Sequence, residues 1–150
     1  MASKREGIIT GLSTLLKTIK PANGFDSDVG EVLDYPIHFS DIDTTLAPVI
    51  SIVPGPETPR DLLGGTTQEY DWRVGLRCYL DGSDHDDIRG DANKIVEDIH
   101  KLIYQNPTLS VSDVILARPI ATDPPFIWFD VGSVGLVDLQ LSIQYRKDLS

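Results

Sequence analysis

Between residues 66 and 80 the apolar side chains fall on every second position: Tyr70, Trp72, Val74, Leu76, Cys78 and Leu80. That is the period of a strand with one face buried. Glu69, Asp71, Arg73, Gly75 and Arg77 occupy the other face, so a slip of one residue would bury four charges and expose Trp72. The register is therefore strongly fixed. The stretch is well above the usual ~5–6 residues of a strand, and it predicts the central rib of a sheet. A second stretch, 136–146, behaves the same way, with Val137, Leu139, Leu141, Ile143 and Tyr145 alternating with Asp138, Gln140, Ser142, Gln144 and Arg146.

Two segments have helical periodicity instead. Ser3 and Glu6 have the spacing of a capping box, and Ile8, Leu12, Leu15, Leu16 and Ile19 follow at helical intervals until Lys20-Pro21 ends the pattern. Gly7 and Gly11 each weaken that helix by about 1 kcal/mol relative to alanine, so it forms by docking on the sheet. Ile88, Ala92, Ile95, Val96, Ile99, Leu102 and Ile103 mark a second helix running from 86 to 105. Ser83 or Asp84 can cap it, and Asp86 and Asp87 suit the positive end of its dipole.

Weaker strands are predicted at 29–39, 46–53, 111–120 and 126–131, the first at a sheet edge because of Pro36. Residues 54–65 hold three prolines and three glycines and read as a long link. The pair Leu62 and Leu63 inside it predicts either a loop folding back on its own core or an arm reaching another chain. Together the elements predict an α+β fold: a mainly antiparallel or mixed sheet, two amphipathic helices on one face and a more polar second face.

Composition narrows the function. The 150 residues suit one domain, 1–150, able to bury roughly 68–70% of its unfolded surface. The single cysteine, Cys78, lies on the apolar face of the rib and reads as core, which implies folding in a reducing compartment. No apolar run approaches the ~20 residues of a membrane span, and the opening Met1-Ala-Ser-Lys-Arg-Glu lacks a signal-peptide core. A soluble protein made in the cytosol is expected. The formal charge of −10 argues against a nucleic-acid clamp, because phosphate affinity comes mainly from clustered Lys and Arg.

The densest group of metal-capable donors is Asp81, Asp84, His85, Asp86 and Asp87. A calcium loop counted from Asp81 needs glycine sixth and glutamate twelfth, where this chain has Asp86 and Ala92. Helix capping explains the group without a metal. His38, His85 and His100 are scattered, and no nucleophile elbow, phosphate loop, H-E-x-x-H or C-x-x-C motif occurs. No enzyme, cofactor or metal is expected. Tyr70 and Trp72 share the apolar face with Val74 and Leu76, so core packing is favoured over a base-stacking platform.

The order of elements brings in a family. A capped N-terminal helix, the run Ala47-Pro-Val-Ile-Ser-Ile-Val-Pro-Gly-Pro-Glu, the alternating strand through Tyr70-Asp-Trp-Arg-Val-Gly-Leu-Arg, the second helix and a closing Leu-Gln-Leu-Ser-Ile-Gln-Tyr strand together resemble the tail terminator proteins of long-tailed bacteriophages. The likeness covers nearly the whole chain and is one of layout and length, without a diagnostic residue. It implies a virion protein of the tail and neck, put together in the host cytoplasm, that forms a homohexameric ring on the last ring of the tail tube protein. Such a ring stops tube growth and docks the neck, or stopper, protein of the head; in contractile tails the sheath protein ends on it too. DNA passes through it without specific binding. On that reading the arm at 54–65 contacts a neighbouring subunit or the tube through Leu62 and Leu63, with Arg60 and Asp61 beside them. Asp41, Asp43, Glu69 and Asp71 are the acidic candidates for the lumen. The rival readings are an adjacent neck or head-completion protein, and a small acidic ligand-binding protein or metal-dependent enzyme using residues 81–87.

Overall fold

The computed structural model describes residues 3–38, 41–62, 65–81, 85–122, 126–128 and 134–149. In chain order these form α1 (Lys4–Leu16), β1 (Glu31–Leu33), β2 (Val49–Leu62), β3 (Thr67–Asp81), α2 (His85–Gln105), β4 (Val114–Thr122), β5 (Phe126–Trp128) and β6 (Val134–Asp148), with 3-10 turns at Pro21–Asn23 and Thr44–Leu46. The fold is α+β, as the periodicities predict. One six-stranded sheet has the order β1-β2-β3-β6-β4, and β5 pairs with the free end of β6. β1 runs parallel to β2 and the other pairs are antiparallel.

The two alternating stretches lie side by side. β3 and β6 pair without interruption from Thr67 opposite Asp148 to Asp81 opposite Val134. Their shared apolar face carries Trp72, Val74, Leu76, Cys78 and Leu80 beside Val137, Leu139, Leu141, Ile143 and Tyr145. The stripes of both helices cover it, with Ile8, Leu12 and Leu16 from α1 and Ile88, Ile95, Ile99 and Leu102 from α2 all buried. The capping box forms, Ser3 Oγ accepting from the Glu6 N–H and Glu6 from that of Ser3. Gly11 has a packing reason to sit in α1: a Cβ there would stand 2.4 Å from Val111 Cγ2 and 3.2 Å from the Leu109 carbonyl. The helix gives up intrinsic stability and gains close contact with the turn after α2.

Two expectations change. The strand expected at 29–39 is three residues long, Glu31–Leu33, and Phe39 lies outside the described residues. Residues 34–38 instead cross the second face of the sheet, where Leu33, Val49, Tyr79, Val134 and Leu136 form a smaller core with Ile37 and Ile42. Tyr79 donates to the Ile37 carbonyl at 2.8 Å and Ser51 to that of Tyr35 at 2.7 Å. The segment expected as a link is strand for most of its length, since β2 continues through Pro54, Pro56 and Pro59 to Leu62. Beyond Ser51 no β1 residue pairs with it, so β2 is there an edge strand, the place in a sheet where proline is tolerated. Register shifts between Pro54 and Glu57 and between Pro59 and Leu62 absorb the misfit.

Candidate functional site

The smaller core covers only one half of the sheet's second face. On the other half the pairing sets polar side chains in rows across the strands. One row reads Arg73, Ser142, Arg118; the next Val53, Gly75, Gln140, Ala121; the next Ser51, Arg77, Asp138. In the middle row Val53 and Ala121 have short side chains and Gly75 none, while Gln140 is long and exposed. The row forms the floor of a trough of about 260 Å³ that reaches Pro54 and Gly55 on β2. Arg73 borders one side and Arg77 the other; both are exposed, as is Arg118 across Ser142 on β4. Arg77 meets Asp138 at 3.4 Å, whereas Arg73 and Arg118 form no ion pair among the described residues.

Further along this face Ser142, itself buried, donates to Asp71 at 2.6 Å, and Arg60 pairs with Glu69 at 3.3 Å. With Arg146 opposite Glu69 and Asp148 opposite Thr67, the open half-face holds five arginines against four carboxylates. That is a formal +1 on a chain of −10.

The compensating acid gathers elsewhere. Asp98, buried in the stripe of α2, accepts the backbone N–H groups of Asp26 and Ser27 at 3.1 and 2.7 Å. This pins the loop after α1 against α2, a charge-assisted arrangement that satisfies a buried carboxylate. The same contact shapes a cleft of about 220 Å³ lined by Asp26, Asp28, Asp81, Asp91 and Lys94. Asp28 pairs with Lys20 at 2.8 Å, while Asp26 and Asp91 are exposed and form no ion pair among the described residues.

A third cluster braces the hairpin of β2 and β3. Arg5 at the start of α1 pairs with Glu57 at 2.5 Å and lies 5.7 Å over the Trp72 ring, and the Tyr145 hydroxyl donates to the same carboxylate. Partial burial alone would raise the Glu57 pKa, yet the hydrogen bonds from Arg5 and Tyr145 outweigh it and hold the group below its ordinary value. Tyr145 is pushed up to about 12, by burial first and then by its bond to Glu57. Trp72 Nε1 donates to the Gly55 carbonyl at 3.1 Å, and Tyr145 stacks on Tyr70. Packing and mutual satisfaction account for these aromatic groups.

The residues singled out from sequence fall into two places. Arg60, Asp61 and Leu62 belong to the end of β2, where Leu62 pairs with Gln68; the side chains of Asp61 and Leu62, and Leu63 as a whole, lie outside the described residues. Glu69 and Asp71 sit nearby on the open face. Asp41 and Asp43 lie at the far end of the sheet, exposed, with Asp43 capping the turn at Thr44–Leu46. Its pKa is lowered by the Thr45 hydroxyl and then by the Thr45 N–H. Of the 81–87 group, Ser83 and Asp84 and the side chains of 85–87 lie outside the described residues. Among the described residues no cluster of His, Cys, Asp and Glu suits a metal ion, and no helix is long and apolar enough to cross a membrane. The alternation already placed Arg73, Gly75 and Arg77 together. Their meeting with Arg118, and the carboxylates that Asp98 draws to α2, depend on pairing and packing that no periodicity carries.

No protein-family model matches the chain, and no curated protein matches it. Among solved structures it is similar to a chain in the virion of a native gene transfer agent (GTA) particle. There the identity is 11%, the TM-score is 0.49, and 93% of this chain and 92% of that one are covered.

Proposed function

We propose that this chain is a non-catalytic structural protein of a phage-like virion, acting as a tail terminator. Six copies form a ring on the last ring of the tail tube, halt tube growth and offer the neck, or stopper, protein its docking surface; where a sheath is present it ends on the same ring. Layout of elements supports this reading through its resemblance to that family. The observation that carries it is the uncovered half of the sheet, arginine-rich on an acidic chain and continuous with the hairpin of β2 and β3. An assembly subunit needs faces of this kind, wet in the free chain and covered in the particle.

In the ring, Asp41 and Asp43 are the better candidates for the DNA passage. Glu69 already pairs with the Arg60 guanidinium, and both it and Asp71 lie among the arginines of the open face, which weakens their outward field. The assay is tube growth: purified tube protein polymerising with increasing amounts of this chain. Tubes that shorten with dose support a terminator. Unchanged tube lengths, with the chain bound instead to the head or neck, would assign it to neck completion.

A further inference from the structure

The trough over Gly75 lies on the open sheet face, and the cleft at Asp26 and Asp91 lies where α2 meets the loop after α1. We propose that the trough is the seat of the acidic cleft of a second copy of this chain, Arg73 and Arg77 gripping the neighbour's Asp26 and Asp91. The inference rests on the ring reading and names the contact that builds the ring.

Three observations point to a second copy as the occupant. Each chain carries both halves of a complementary pair, a half-face of +1 and a remainder of −11 given the total of −10. Opposite potentials steer association and exclude the wrong register, while two troughs or two clefts would repel each other. The two surfaces lie at different places on one molecule, so the contact is head-to-tail, and a head-to-tail contact whose rotation closes makes a ring. Arg73 and Arg77 are four residues apart on one strand, about 13 Å at ~3.3 Å per residue. Between them Gly75 leaves the gap that a carboxylate-bearing loop would enter. Guanidinium groups suit this task because their planar donors match carboxylates in two-point contacts.

The test uses the purified full-length chain and sedimentation at low and high salt. Wild type associates at low salt and dissociates as salt rises. Arg73→Ala with Arg77→Ala weakens association by about tenfold or more. Gly75→Thr separates the trough from the charges: a Cβ there stands 3.4 Å from the Val53 carbonyl, so the strand accepts threonine, melting is unchanged and association is lost. Copies bearing Arg73→Glu and Arg77→Glu, or Asp26→Lys and Asp91→Lys, stay monomeric alone and assemble when the two kinds are mixed. Several results overturn the proposal: wild type monomeric at low salt, variants that assemble as wild type does, mixed copies that stay monomeric, or the same arginines binding tube protein and no second copy. Failure of the ring reading is separate and appears as bare tube ends in the presence of chain.

Discussion

Trp72 joins three elements at one ring. It is buried beneath α1, donates to Gly55 on β2 and meets Tyr145 of β6 edge-on at 6.4 Å. Trp72→Ala should cost about 3–5 kcal/mol, read as a shift in the urea midpoint at constant slope. A near-neutral midpoint would mean that the apolar face of β3 is not core. The neighbouring Glu57 gives the pH dependence. Its folded pKa lies below its ordinary 4.5, so its contribution is complete above about pH 4.5 and is lost as pH falls through the lower folded value. Tyr145 works at the other limb. With a pKa raised from 10 to about 12, it stays protonated in the fold after the unfolded chain has released its proton, so stability declines as pH rises from 10 to 12. Urea midpoints for Glu57→Gln and Tyr145→Phe should show a flattened acid limb and a flattened alkaline limb respectively. Limbs identical to wild type would contradict the arrangement.

At the scale of elements, the long strands, both helices and the N-terminal cap were legible because each has a period or motif of its own. The course of residues 54–62 was not. Proline excludes an inner strand, but whether a strand has an outer neighbour is a fact of tertiary structure, and β1 ends at Leu33 opposite Ser51. The same holds for the site. Alternation puts Arg73 and Arg77 on one face, whereas Arg118 joins them only through the pairing of β4 with β6. Asp98 lies in α2 without any motif to mark it, and the structure makes it the buried anchor for the loop carrying Asp26. The hairpin tip supplies a prediction at this scale. Leu62→Ser combined with Leu63→Ser should leave the melting temperature of the monomer unchanged and weaken attachment to a neighbour or the tube. A markedly lower melting temperature would place the pair in the core.

For the whole molecule, charge decides how a ring would treat DNA. Six chains of −10 carry a formal charge of about −60, so a conduit built from them repels phosphates within roughly a Debye length of 8–10 Å wherever carboxylates face inward. With Arg73 and Arg77 engaged between copies, the passage is left to acidic groups such as Asp41 and Asp43. The assembled ring should therefore leave duplex DNA unretarded in a gel at low salt. Tight, salt-sensitive binding would mean that the arginines line the channel. Electron microscopy of tail tubes grown with the chain present tests the terminator role at the tube end itself. A terminator should appear as a six-fold disc of this protein on one end of each tube, with arginine-bearing sheet faces turned toward neighbouring copies. Tube ends that carry no such disc would contradict it.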